Sequence, residues 1–336
     1  MMIPRKEQFA GCLVGQCLGD AWGFPVEGYP PETCRQYAGE IRGKGRTAEY
    51  GRAGFPFGQY TDDSQLAREL LQSYAGCGGF DLRDYAARIA AIFSERRIVG
   101  CGRATEEAAR RLAQGIPWQE AGTPPPSAGN GSAMRAGPVG LLFFDSPQQL
   151  IRAAHDQGRI THRDRRCSAG AVAVAGAVAL ALRHESIDAT AFLARLAEWT
   201  SAIEHSVAEN IHRLTEWLAL PPPEAVHYIS RAGLPPGYAE QWQGISPFVT
   251  GSVLWSLYSF LRTPEDYMET ICTAIAAGGD VDTTAAMAGA ISGAHLGLEA
   301  IPREQAARLT DQGTWGLDEL VALACKCHDI KINRKV

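Results

Sequence analysis

The sequence predicts an all-α fold, a compact multi-helix bundle in which residues 1–336 form one domain. Three observations carry this expectation. Apolar residues recur mostly at three- and four-residue spacing, and few segments alternate with the period of two that a half-buried strand needs. No Ser-rich or charge-rich stretch is long enough to serve as an interdomain linker. At an average of about 11–12 residues per helix, the chain has room for about a dozen helices or more.

Taken in order, Leu66, Leu70, Leu71 and Tyr74 mark one helical face, Leu193, Leu196 and Ala197 a second, and Ile211, Leu214 and Leu218 a third. Residues 169–182 are almost entirely Ala, Val, Gly and Leu and read as a buried helix. Residues 285–294, AAMAGAISGA, read as a small-residue helix suited to close packing near the centre. Loops are expected at 39–58, at 123–130 around Pro124-Pro125-Pro126, at Pro221-Pro222-Pro223 and at Pro235-Pro236-Gly237. Near the end, Cys325, Cys327 and His328 have no second cysteine pair to complete a soft-metal tetrahedron, so they read as part of a helix.

Composition removes several classes of function. A net charge of -5 leaves no basic footprint for displacing counterions from a phosphate backbone, so nucleic acid is not the default partner. The nine cysteines are scattered and form no paired CxxC framework, a usage that fits a reducing cytoplasm. Arg5, Lys6 and Glu7 interrupt any secretory signal, and the most apolar stretch is shorter than the about 20 residues a bilayer requires, so no membrane role is expected.

Two acidic motifs stand out, each just ahead of a helical pattern: Thr61-Asp62-Asp63-Ser64, and Gly278-Gly279-Asp280-Val281-Asp282-Thr283. Helix capping accounts for one such residue per helix, because Asp, Ser and Thr accept from free amides there and favour the positive end of the dipole. Paired acids exceed that need. If the motifs meet in space, four carboxylates crowd one partly buried site, which is strongly unfavourable unless cations neutralise them. Oxygen ligands from Asp and Thr suit hard ions such as Mg²⁺ or Mn²⁺, and the number of acids allows two of them. Spacing alone does not separate caps from ligands.

The whole set of motifs resembles the ADP-ribosylglycohydrolase family, in order along nearly the whole chain. Gly11 and Gly15 lead into Gly19-Asp20-Ala21-Trp22-Gly23 and Glu27, similar to the family's GxxxGxxxGDAxGxxxE opening. Tyr60-Thr61-Asp62-Asp63-Ser64 resembles its TDDT motif, with Ser64 keeping the hydroxyl of the usual Thr. Gly129-Asn130-Gly131-Ser132-Ala133-Met134-Arg135 is similar to GNGAAMR, Thr161-His162 to a Thr/Ser-His pair, and 278–285 to GGDxDTxA.

The resemblance implies an all-α fold with a dinuclear metal site at its centre. It implies that Thr61, Asp62, Asp63, Asp280, Asp282 and Thr283 hold two divalent cations, Mg²⁺ or Mn²⁺. It further implies that Gly129, Asn130, Gly131, Ser132 and Met134 lie along a diphosphate, that His162 contacts ADP-ribose, and that Phe248 lies near the adenine. Glu27 would sit near the scissile bond on a mobile loop. Each has a plainer alternative: a GNG turn is often only a turn, His162 fits a structural hydrogen bond, Glu27 follows Pro25 as a surface acid would, and Met134 and Arg135 can serve to position the loop.

The activity so implied is release of ADP-ribose from a modified protein through an oxocarbenium-like transition state, with Asp63 and Glu27 as the acid/base candidates. Arginine is the favoured acceptor and serine its competitor, with the basic residues Arg42, Lys44, Arg46 and Arg52 of the 39–58 segment as one candidate source of acceptor choice. Two other classes compete: a non-catalytic ADP-ribose binder, or a protein that blocks a cognate ADP-ribosylating toxin or transferase. A metal phosphohydrolase would use similar acids but cut the diphosphate.

Overall fold

In a computed structural model, which describes residues 3–44, 52, 54–183, 185–235, 238 and 242–333, helices dominate and no strand forms among the described residues. Arg46, Pro236 and Gly237, and the side chain of Lys44, lie outside the description. The chain runs through α1 (Lys6–Gly23), a 3₁₀ turn (Phe24–Val26), α2 (Pro31–Lys44), α3 (Asp62–Cys77), α4 (Leu82–Ser94), α5 (Arg103–Ala113) and α6 (Trp118–Ala121). It continues with α7 (Gly137–Phe143), α8 (Pro147–Arg159), α9 (Arg165–Ala181), α10 (Ala189–Ser201), α11 (His205–Trp217) and α12 (Pro222–Ile229). The last are α13 (Val249–Arg262), α14 (Tyr267–Ala276), α15 (Val281–Leu296), α16 (Arg303–Ala306) and α17 (Leu317–Asn333). Their apolar faces share one continuous core.

Two expected loops are partly helical. Residues 39–44 belong to α2, because Cys34, Tyr37, Ala38 and Ile41 bury one face at helical spacing and outweigh the cost of Gly39 and Gly43. The proline run opens α12, with Pro221 as its cap and Pro222 and Pro223 in a first turn that has no use for their missing N–H. Cys327 and His328 are buried in α17, as the helical expectation required.

The centre of the molecule is the seam between α1 and α15. Glycines recur every four residues on α1, and each meets α15 backbone to backbone, the first three at a Gly or Ala. A methyl group added to Gly11 would lie 2.3 Å from the Gly293 carbonyl oxygen, on Gly15 2.5 Å from that of Gly289, and on Gly19 2.2 Å from that of Ala285. At Gly23 it would strike the Cα of Asp282 at 2.3 Å. Only hydrogen fits there, so the stripe fixes α1 and α15 in register and brings the end of α1 onto the start of α15. The expected small-residue packing at the centre is therefore realised by this pair of helices. Among the described residues no helix is long and apolar enough to cross a membrane.

Gly19→Ala should destabilise the protein by about 2 kcal/mol, the usual scale for forcing a methyl into a filled interface. Gly39→Ala, at an exposed helical position with nothing near the added methyl, should instead stabilise it by about 0.5–1 kcal/mol. Urea unfolding of the two variants checks both signs, and equal effects would remove the close-approach explanation.

Candidate active site

At the start of α3 the capping work is done from outside the helix. Asp20, in the last turn of α1, accepts the Thr61 N–H at 3.0 Å on each carboxylate oxygen, the Thr61 hydroxyl at 2.9 Å and the Ser64 N–H at 3.1 Å. Thr61 makes no capping bond of its own. Asp62 and Asp63 are thereby released from capping. Gln16, one turn before Asp20, donates to the backbone carbonyls of Asp63 and Met134, both at 2.9 Å, and ties the two motif loops together.

At the start of α15, Asp280 is the cap residue yet makes no capping bond. Its carboxylate accepts the Asn130 amide at 2.5 Å, and its own N–H goes to the Ile245 carbonyl at 2.8 Å. Gly278 and Gly279 take φ values of 72° and 84°, and a methyl on Gly279 would lie 2.1 Å from the Ile245 oxygen. Glycine is required for this turn. The segment bearing Glu27 is zipped to the same turn, with the Gly28 N–H on the Gly279 carbonyl at 2.8 Å and the Gly279 N–H on that of Tyr29 at 3.0 Å. Glu27 thus stands on a segment whose backbone is hydrogen-bonded to the turn that carries Asp280.

The two motifs do meet. Glu27, Thr61, Asp62, Asp63, Asp280, Asp282 and Thr283 line one cavity of about 550 Å³. Carboxylate oxygens of Glu27, Asp280 and Asp282 lie within 4.8 Å of one another, the one group of described residues whose spacing could hold a metal ion. Asp63 Oδ1 is buried with no hydrogen-bond partner among the described residues. Burial first, and then the charges of Asp20, Glu27 and Asp280, push Asp62 up to about 8. Burial likewise raises Asp20 to about 7 and Asp280 to about 6, and lifts Asp63 and Asp282 well above the ordinary range. Among the described residues no Lys or Arg pairs with Asp62, Asp63, Asp280 or Asp282, and Glu27 pairs only with Arg52. Uncompensated buried acids with oxygen-only donors fit hard divalent cations.

The glycine turn lies beside the acids. Gly129, Asn130, Gly131, Met134, His162 and Phe248 line the same cavity. Ser132 does not: its hydroxyl is buried and donates to the Cys167 carbonyl at 3.0 Å. The turn is held from behind by Arg135, which grips Gln157 through its side-chain and backbone oxygens at 2.9 Å each, while Gln157 donates to the Ser132 carbonyl at 2.9 Å. His162 packs under the glycines, and a methyl on Gly131 would lie 2.8 Å from its ring. Its Nδ1 lies 2.8 Å from the Thr161 hydroxyl, and burial lowers its pKa to about 3, so the ring is neutral. Arg166 sits 5.4 Å over the Phe248 ring and is itself paired with Asp164.

Asp20 and Gln16 were missed as site residues by sequence reasoning. For Asp20 the available signal was its type, since an acid in the last turn of a helix opposes its dipole and asks for a partner.

Known proteins can now be set beside this geometry. The ADP-ribosylglycohydrolase family pattern matches residues 1–331. An uncharacterized protein of Archaeoglobus fulgidus is 32% identical, with 86% of this chain and 88% of that one covered. ADP-ribosylhydrolase ARH3 of Gallus gallus is 29% identical, with 89% and 88% covered, and that of Homo sapiens 27% identical, with 96% and 93% covered. A solved structure described as an ADP-ribosylglycohydrolase-related protein complex superposes with a TM-score of 0.71 at 27% identity, with 98% of this chain and 100% of that one covered. Fold and site together define an all-helical hydrolase of glycosyl bonds with an acidic centre. The chain belongs to the ADP-ribosylglycohydrolase family.

The raised acids set a pH dependence. Between the ordinary value of 3.8 and about 8, the folded state holds protons that the unfolded state has lost, so without cations stability falls as pH rises through that window. In EDTA the melting temperature should be lower at pH 8 than at pH 5.5, and Mg²⁺ or Mn²⁺ should raise it more at pH 8. Thermal scans check this, and equal stabilisation at both pH values would contradict it.

Proposed function

We propose that the protein hydrolyses the glycosidic bond between ADP-ribose and a modified protein side chain. Two divalent cations, Mg²⁺ or Mn²⁺, would be held by Thr61, Asp62, Asp63, Asp280, Asp282 and Thr283. The observation that carries this is the convergence of both acidic motifs on one cavity, with no Lys or Arg among the described residues paired to their carboxylates. Further support comes from the cavity's size, which lies in the usual range for small-ligand sites, and from the relatives named as ADP-ribosylhydrolases.

ADP-ribose would lie along the row of lining residues. Phe248 offers a ring for the adenine, and His162 a neutral imidazole. Gly131, whose backbone N–H has no backbone acceptor among the described residues, offers a donor for the diphosphate. The distal ribose then falls among the carboxylates. Bound cations would orient its hydroxyls and lower the pKa of a water. In the net reaction that water adds its oxygen to the anomeric carbon, the bond to the acceptor breaks, and the water's proton ends on the leaving atom. Asp63, with an unpartnered oxygen, is the candidate for taking the proton from water, and Glu27 for passing one to the leaving group.

Labelled ADP-ribose release from serine-linked and arginine-linked substrates tests this. Release should need Mg²⁺ or Mn²⁺, stop in excess EDTA, and fall on the order of 100-fold or more in Asp62→Asn and Asp280→Asn. Full activity in EDTA would defeat the metal requirement. AMP and ribose phosphate as products, in place of free ADP-ribose, would replace glycosidic cleavage with diphosphate hydrolysis.

A further inference from the structure

Arg52 is the single described cation in contact with a carboxylate of the site, and it is held in three ways. Its guanidinium donates to Glu27 Oε2 and, at 3.2 Å, to the Phe24 carbonyl, and it lies 4.9 Å over the Phe24 ring. Phe24 is in turn braced by the edge of Phe55, with ring centroids 5.7 Å apart. An aromatic face, a carboxylate and a carbonyl oxygen are the three things a guanidinium seeks in a recognition site. Here the chain's own arginine fills all three.

The place of this arrangement in the cavity follows from a row of contacts. Arg166 and Phe248 stand at one end, and Phe248 is bridged to Gly129. Gly129 and Gly131 lie over His162, Asn130 donates to Asp280, Asp280 adjoins Glu27, and Glu27 meets Arg52. With ADP-ribose laid along that row, which rests on the function proposed above, the side chain to be released leaves past Glu27, where Phe24 also lines the wall. Arg52 does not itself line the cavity, but it is held by two residues of that wall, Glu27 and Phe24, and so stands at the rim beside the acceptor.

We propose that Arg52 determines acceptor specificity, by occupying the guanidinium-binding position that Phe24 and Glu27 form at the acceptor end and excluding arginine-linked ADP-ribose in favour of neutral, O-linked acceptors such as serine. A guanidinium keeps its positive charge throughout the working pH range, so an arginine acceptor meets a like charge and finds its natural partners taken. The oxygen of a serine linkage carries no charge and asks for none of them. The acceptor favoured from sequence thus moves from arginine to an O-linked side chain, and of the two described basic side chains named in the 39–58 segment, Arg42 pairs with Glu269 while Arg52 meets Glu27.

The test is the ratio of kcat/KM for arginine-linked over serine-linked substrate, measured for the wild type, Arg52→Met and Arg52→Lys. Methionine keeps an apolar stem over Phe24 and loses the charge; lysine keeps the charge. The wild type should prefer the serine-linked substrate, Arg52→Met should raise the ratio about tenfold, and Arg52→Lys should leave it near the wild-type value. A wild type that prefers arginine, or two rates that fall in parallel in Arg52→Met, overturns the specificity role while leaving the hydrolase standing. Release from neither substrate by the wild type, with Mg²⁺ or Mn²⁺ present, would remove the proposed function itself and this inference with it.

Discussion

Carboxylates buried beside one another repel, and the rest of this molecule is arranged to impose that repulsion. Glu27, Asp62, Asp63, Asp280 and Asp282 come from three stretches of chain and line one cavity, and four of the five have no cationic partner among the described residues. Such a cluster costs several kcal/mol per uncompensated charge unless protons or metal ions supply the balance. A fold that keeps it near neutral pH must be stiff around it and must have cations as its working complement.

The stiffness comes from the glycine seam. Because Gly23 sits directly on the Cα of Asp282, the last turn of α1 and the first turn of α15 cannot separate without breaking the backbone-to-backbone packing of the seam. Asp20 extends the same device to α3, by taking over its capping bonds from a different helix. One acid is thus spent on structure so that two others are free for chemistry. Gln16 and the Arg135–Gln157 pair then fix the glycine turn against the acids. Arg135 has no acid partner among the described residues, and its positive charge faces Asp62 and lowers the affinity of His162 for a proton. The result is a cavity with an acidic end and a neutral, hydrogen-bonding middle.

Much of this was legible before any coordinates. The helical class followed from periodicity, and the surplus of acids over caps in 61–64 and 278–283 pointed to a shared site. Other features were hidden for physical reasons. Asp20 caps a helix 41 residues away, a relation that local pattern cannot express. The role of Gly11, Gly15 and Gly19 as a seam depends on which helix lies opposite. Ser132 belongs to a polar turn in sequence, but its hydroxyl points into α9, since a β-carbon's direction is set by the fold of the turn. Arg52 was one of four basic residues of equal standing in the sequence, and its contacts with Phe24 and Glu27 depend on the fold.

The tethering of Glu27 bears on how the site works. Two backbone hydrogen bonds to Gly279 and the ion pair with Arg52 hold this acid beside Asp280 and Asp282. Everything then turns on whether ions occupy the space that the acids enclose. The most direct measurement is an anomalous difference map at the manganese absorption edge, from crystals grown in saturating Mn²⁺. Two peaks between the carboxylates of Asp62 and Asp63 on one side and Asp280 and Asp282 on the other are expected; a map with no manganese among those four side chains would contradict the account.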